Sequence, residues 1–303
     1  MVDGLVDLVT FELIEQIATT GSLTAAASAM GVSQHAASAR LVRTERLLGH
    51  PLVLRGVGGS VLTEHGGMVL EWAAPVLDAA RRAAVSLDAL RHSDAPLTVA
   101  ASQTVAEFLL PGWLQILRQE RPDAVVRLVS GNSEDVTAHV RGGTAQLGFI
   151  ESPTVPDGFR SAPVAVDELV VVVAPDHSWA AQNTIAPKEL ATTPLVLRET
   201  GSGTRATLEE WLRVQGLGIA SPAAELATTS AIRAAVMAGI APAVLSRRAT
   251  QDDLAVGRLC QVDVEGPSPQ RRLVAVWLSP RLSSIARALV EIAARSIDGP
   301  ERR

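Results

Sequence analysis

Residues 31–43, GVSQHAASARLVR, set a glycine two positions ahead of a serine, and the serine opens a run of helical character. A glycine that adopts a positive φ ends a helix, and a serine hydroxyl that accepts a first-turn N–H begins one. The stretch therefore predicts a tight turn at Gly31 and a helix capped by Ser33, with Gln34, His35, Ser38, Arg40 and Arg43 on its polar side. Upstream, Phe11, Ile14, Ile17 and Ala18 recur at helical spacing and predict a first helix ended by Thr19, Thr20 and Gly21. Ser22 is placed to cap a short second helix through Ala29, whose Ala25, Ala26, Ala27 and Ala29 let a neighbour approach closely. Helix, tight turn and helix is the arrangement that presents its second helix to the DNA major groove. Downstream, LRGVGGSVLT (54–63) places three glycines between two short apolar strands and predicts a hairpin wing.

The chain has 303 residues, enough for two or three domains, and its 47 % hydrophobic and 19 % charged content is that of a folding globular protein. Its longest apolar runs, such as ELVVVVAP (168–175), fall far short of the roughly 20 residues that span a bilayer. The acidic, amphipathic start, MVDGLVDLVTFELIEQ, lacks the basic-then-apolar order of a secretory signal. One cysteine, Cys260, excludes an internal disulfide and is read as a small buried residue; a cytoplasmic protein is expected. Arginine outnumbers lysine 26 to 1, a bias of genome composition with no mechanistic content.

The N-terminal segment GSLTAAASAMGVSQHAASARLVRTERLLGHPLVLR…LTEHGG resembles the winged helix-turn-helix of LysR-type transcriptional regulators. The pattern of that family runs Gly-Ser, a small-residue helix, Ser-Gln-Pro-Ala-x-Ser, a Leu-Glu pair, Leu-Gly-x-x-Leu-Phe-x-Arg and Leu-Thr-x-x-Gly, and each piece occurs here in order. Four positions depart from it: His35 stands for Pro, Ala39 for Arg, Thr44 for Leu and Val53 for Phe. The resemblance implies a DNA-binding role for Ser22, Thr24, Ser33, Gln34, Ser38, Arg43, Arg55 and Thr63, to which the residues themselves add His35 and Arg40. Gln34 at a helix start suits bidentate pairing with adenine, and Ser38 lies one turn on. Arg40, Arg43 and Arg55 suit phosphates, which position a protein without specifying sequence. His35 brings an N–H and a titratable ring where a proline is usual, so DNA affinity is expected to rise between about pH 8 and about pH 6. Within residues 1–65 four arginines face six acids, which predicts few phosphate contacts and a shallow salt dependence of binding.

From about 64 to 92 the pattern is one long helix. Leu70, Ala73, Leu77, Ala80, Ala84 and Leu87 form a heptad-like seam, interrupted by Pro75. We read the seam as a dimerisation surface, as the resemblance implies, with a homodimer or a homotetramer as the assembly.

From about 95 to 303 strands and helices alternate, which argues for open α/β sheets. This region resembles the LysR effector-binding region, two Rossmann-like lobes akin to type 2 periplasmic binding proteins. The fold class expected is thus α/β with an N-terminal winged helix-turn-helix, in three parts: 1–63, 64–92 and 95–303. On the family plan the first lobe takes about 96–163 and 269–296, the second about 164–268. Ligands in such folds sit between lobes, near strand ends and helix starts. Ser102, Gln103 and Thr104 open one helix after a strand; Gly201, Ser202, Gly203 and Thr204, within RETGSGTR (198–205), open another; Thr228 and Thr229 open a third. With FIE ending at Glu151, these runs look most like the branch that contains regulators of sulfur assimilation and carbon fixation, whose effectors are small anions or phosphorylated metabolites. Glu151 repels an anion unless it pairs with an arginine or with a hydroxyl of the ligand.

Enzyme signatures are missing: GSGTR lacks the Gly-Lys-Ser/Thr of a P-loop, there is no Gly-x-Ser-x-Gly elbow, and the six histidines lack metal-ligand spacing. His35, His50 and His65 are evenly spaced, which we attribute to chance because each belongs to a different element. No cofactor and no metal are expected. The expected partners are double-stranded operator DNA, a small and anionic effector and further copies of the chain, with RNA polymerase open; no membrane is involved. The rival reading is a binding protein of a transporter, or a substrate-binding enzyme domain, and the winged helix argues against both.

Overall fold

The computed structural model describes residues 6–56, 59–91, 96–182 and 184–298, and the chain forms two compact units, Met1–Ala84 and Val85–Arg303. The expected wing tip at 57–58 lies outside the described residues, as does the side chain of Arg55.

The first unit runs α1 (Leu8–Thr20), α2 (Leu23–Ala29), α3 (Gln34–Leu48), β1 (Val53–Gly56), β2 (Gly59–Leu62) and the start of α4 (Glu64–Arg91). Its helix ends follow from local chemistry. Gly21 adopts φ 64° after α1, and the Ser22 hydroxyl accepts the N–H of Ala25. After α2, Gly31 at φ 67° donates to Ser28 O, and Val32 donates to Ala27 O. That pair of bonds satisfies two carbonyls that the helix end would leave orphaned. Ser33 then accepts the N–H of Ala36, so the turn closes one helix and caps the next within three residues.

Leu13, Ile14, Ile17, Ala26, Ala37, Leu41 and Leu52 form the core of this unit. The apolar face of α1 is therefore Leu13, Ile14 and Ile17 with Phe11 half-buried; Ala18, expected on it, is exposed. Thr63 donates to Pro51 O and accepts the N–H of Gly66, which makes it a joint between wing and α4. Gly66 is forced by space: a Cβ there would stand 2.1 Å from Leu52 O. This explains the Leu-Thr-x-x-Gly run. The imidazoles of His50 and His65 stack with centroids 4.1 Å apart, so two of the three evenly spaced histidines share one place.

Helix α4 continues through Pro75, which has no N–H to give to the preceding turn. The expected seam is corrected here. Ala73 and Leu77 are fully buried and Leu70 packs on the core of the first unit, so these residues serve their own unit. Arg81 adds an ion pair to Glu15 of α1. Among its described side chains, the large apolar ones α4 leaves exposed are Met68, Trp72 and Val76, at intervals of four. Ala84 is exposed, and the side chain of Leu87 lies outside the described residues.

The second unit begins with β3 (Leu97–Ser102), α5 (Gln103–Phe108), α6 (Leu110–Glu120), β4 (Val126–Gly131), α7 (Ser133–Arg141) and β5 (Leu147–Ile150). A 14-residue strand, β6 (Arg160–Val173), leads to β7 (Thr184–Ile185), α8 (Pro187–Thr192), β8 (Val196–Arg198), α9 (Gly203–Val214), β9 (Ala224–Leu226), α10 (Thr229–Met237), β10 (Ala243–Ser246), α11 (Arg247–Ala255) and β11 (Cys260–Val264). The chain returns through β12 (Gln270–Trp277) and ends in α12 (Ser284–Asp298). One sheet has the order β4-β3-β5-β12-β6, with β3 parallel to β4 and β5 and with β12 antiparallel to β5 and β6. Further along, β6 pairs antiparallel with β10 and β11 in the second lobe. Leu169, Val171 and Val173 face one core there, Val170 and Val172 the other, so ELVVVVAP is buried on both faces. Cys260 is half-buried at the start of β11, not fully buried as expected.

Candidate functional site

In the first unit, α3 carries Gln34, His35, Ala39 and Arg43 on its exposed side, with Ser38 half-buried. Ser22 and Ser33 cap their helices, and Thr24 is exposed in the first turn of α2. Arg40 differs from its expected role as a phosphate ligand. Its guanidinium lies 2.5 Å from Asp7, the N-cap of α1, and ties α3 to that helix start. Burial opposes the ionisation of Asp7, but hydrogen bonds from Thr10 and the Arg40 charge outweigh it and hold the carboxyl below its usual range. Thr63, also expected at the DNA, is occupied by Pro51 and Gly66. Of the residues singled out on α3, Gln34, His35 and Arg43 are exposed and Ser38 is half-buried.

In the second unit, the three helix starts singled out from sequence come together with Glu151; Thr228 is exposed and Gln103 and Gly201 are half-buried, and the other residues are buried. Ser102, Thr104, Glu151, Ser202, Thr204 and Thr229 are each at most 5 % exposed. The centre of the cluster is Arg271 of β12, a residue the sequence analysis passed over. It stands directly opposite Asp167 of β6 in the antiparallel register, and its Nε and Nη2 reach Asp167 Oδ2 at 2.9 and 2.7 Å. Nη1 donates to Thr204 Oγ1 at 2.8 Å and Nη2 to Thr104 Oγ1 at 3.1 Å. Glu151 Oε2 lies 3.2 Å from the same Nη2, off the hydrogen-bonding direction, while Glu151 Oε1 accepts from Thr204 at 3.4 Å. Asp167 also receives a hydrogen bond from Ser246. The sequence carries no signal for this pair: that β6 exposes Val166 and buries Asp167, against their polarity, is seen only in the folded strand.

Three buried polar atoms in the cluster, Ser102 Oγ, Ser202 Oγ and Glu151 Oε2, have no hydrogen-bond partner among the described residues. Leaving a buried hydroxyl unsatisfied costs about 1–3 kcal/mol, which applies to the two serines, whereas Glu151 Oε2 keeps the Arg271 charge 3.2 Å away. Gly203 is required by closeness, since a Cβ there would come within 2.7 Å of the Glu151 backbone. Helix α5 has only six residues, so its start contributes hydroxyls more than a helix dipole; α9, with twelve, contributes both.

Around this cluster the two lobes are laced together. The Gln103 carboxamide donates to Ala227 O and accepts from the N–H and hydroxyl of Thr229, so it bridges to the start of α10. Thr228 caps α10 through Ala231 N. Glu134 N–H donates to Gly201 O. Buried Arg198 pairs with Glu199 at 2.8 Å and reaches Thr229. Burial opposes the charge on Glu199, but Arg198 and a hydrogen bond from Asn132 prevail and lower its pKa. Gln103, Glu151, Gly201, Ser202, Gly203, Thr204, Thr228 and Thr229 therefore sit at one junction, joined by Asp167, Arg198, Glu199 and Arg271. No helix among the described residues is long and apolar enough to cross a membrane, and no group of three metal-ligating side chains occurs among them.

Comparison with known proteins gives a consistent picture. Residues 8–67 match the model of the bacterial regulatory helix-turn-helix proteins of the lysR family, and residues 90–298 match the LysR substrate binding domain. The uncharacterized HTH-type transcriptional regulator Rv2282c of Mycobacterium tuberculosis is 43 % identical over 302 residues, covering 95 % of this chain and 97 % of that protein. The HTH-type transcriptional regulator CbbR of Rhodospirillum rubrum is 28 % identical over 280 residues, covering 92 % of this chain and 93 % of that protein. Among solved structures, the regulatory domain of CcmR from Synechocystis in complex with 2-PG superposes with a TM-score of 0.60 at 24 % identity, covering 66 % of this chain and 96 % of that one.

Proposed function

This chain belongs to the LysR family of DNA-binding transcriptional regulators with a two-lobed effector-binding domain, and from that premise we propose that its effector is a small anion with a hydroxyl or proton of its own. The observation that carries this reading is the set of unsatisfied buried oxygens, Ser102 Oγ, Ser202 Oγ and Glu151 Oε2, around the Arg271 guanidinium. The two serines offer donors to the anionic end. Glu151 Oε2 accepts only, so the ligand must bring a donor to it. The binding of 2-PG by the CcmR regulatory domain, which has the same fold, supports an anionic ligand. A thermal-shift screen against inorganic oxyanions and phosphorylated or hydroxylated metabolites tests the reading. We expect a rise in Tm for at least one anion and its loss in Thr204→Ala. An equal rise in Thr204→Ala, or responses to uncharged ligands only, would contradict it.

At the other end of the chain, Gln34, His35, Ser38 and Arg43 read the operator, with Ser22, Thr24, Ser33 and Thr63 shaping the elements that hold them and Arg55 reaching a phosphate from the wing. Two copies pair through α4, which exposes Met68, Trp72 and Val76 beside an apolar trough of about 710 Å³ lined also by Leu8, Phe11 and Leu48. Such a stripe on a helix gains most by facing a second copy of itself. Paired recognition helices then occupy successive major grooves, with assembly to a tetramer and contact with RNA polymerase as further steps, in the cytoplasm where the DNA is. An effector alters DNA binding to the extent that it prefers one arrangement of the lobes.

A further inference from the structure

Arg271 is fully buried, yet its charge is already matched by Asp167, which takes both Nε and Nη2. It is therefore poorly placed to serve as the counter-ion of an anion. Of its three remaining N–H groups, two go to hydroxyls at equivalent places: Thr104, two residues beyond Ser102 in the first lobe, and Thr204, two residues beyond Ser202 in the second. A guanidinium only donates, so a threonine oxygen that receives its N–H has to send its own hydrogen elsewhere. The Thr204 hydrogen goes to Glu151 Oε1. Thr104 has Arg271 as its one hydrogen-bond partner among the described residues, and its hydrogen is left to point away from Arg271.

We infer that Arg271 is a positioning residue, which fixes the hydroxyl of Thr104 as a donor to the bound effector and holds the two helix starts, one from each lobe, at the spacing the effector needs. The inference rests on the anion reading above. Because Asp167 neutralises the guanidinium, the site binds through oriented hydroxyls and backbone N–H groups, and the planar fork matters more than the positive charge. The two crossover strands that join the lobes supply both Arg271 and Asp167. Any change in their alignment thus moves both hydroxyls together.

The test uses the full chain and four variants: Arg271→Lys, Arg271→Gln, Thr104→Ser and Thr104→Val. Hydrogen exchange is read first, without ligand, over residues 103–108 and 203–214. Arg271→Lys and Arg271→Gln should both raise exchange in both segments, whereas Thr104→Val should raise it in the first only. Sodium phosphate and sodium sulfate are then titrated by thermal shift. Arg271→Lys should bind roughly ten-fold more weakly in spite of its retained charge, Thr104→Val likewise, and Thr104→Ser as the parent does. Parental behaviour of Arg271→Lys in both readings, or a rise of exchange confined to one lobe, overturns the inference. If the parent responds to neither anion, the anion reading fails for these probes while the exchange pattern still decides the positioning role. Thr104→Val, a near-isosteric change, keeps the test decisive should the Arg271 variants unfold.

Discussion

At the scale of single residues, the structure separates side chains that hold the frame from those that remain able to act. Arg40 illustrates the first kind: its position on α3 suggested a phosphate ligand, but its partner Asp7 comes from a helix start 33 residues away. No local pattern announces such a pairing. Glu199 offers a quantitative handle. Its carboxyl is depressed in the folded state, because Arg198 and Asn132 outweigh the burial that opposes its charge. A depressed acid stabilises the fold above its unfolded pKa of about 4.3, and that contribution disappears as the pH falls through the lower native value. Thermal denaturation of the effector unit should accordingly show a Tm decline below about pH 4.3 that is flatter in Glu199→Gln. Parallel declines in the two proteins would remove Glu199 from the account.

At the scale of elements, the best-determined features are close approaches of backbone. Gly66→Ala places a methyl 2.1 Å from Leu52 O, where α4 meets the turn before β1. Overpacking of this kind costs about 1–3 kcal/mol, and contact with backbone puts the cost near the top of that range. Urea unfolding of Gly66→Ala should show that loss, and DNA binding should fall with it. A variant as stable as the parent would contradict the contact. Helix α4 also shows how far sequence patterns reach. Its heptad-like seam was visible, but periodicity does not say which of two apolar stripes faces the chain's own core. Ala73 and Leu77 turn inward, and Met68, Trp72 and Val76 remain outside. Trp72→Asp should therefore shift the chain toward monomer in sedimentation velocity, while Leu77→Asp, at a fully buried position, should mainly lower stability. An unchanged distribution for Trp72→Asp would send the pairing surface elsewhere.

At the scale of the whole molecule, the winged helix-turn-helix was legible because its helices are closed by local signals: Ser22, Gly31 and Ser33 act within a few residues of themselves. The strands and helix starts of the second unit were legible for the same reason, and the structure brings the residues singled out at them together at the lobe junction. Arg271 and Asp167 were not, since their meaning arises only when two strands about a hundred residues apart in sequence lie side by side. We propose a division of labour in which Gln34 with its neighbours on α3 meets DNA and Thr204 with its neighbours at the lobe junction meets the effector. The most direct test is fluorescence anisotropy on a DNA fragment adjacent to the protein's own gene, with and without the anion found by thermal shift. Gln34→Ala should lose discrimination between this fragment and random DNA, and Thr204→Ala should bind the fragment as the parent does but without response to the anion. Loss of DNA binding in a folded Thr204→Ala protein would contradict the division.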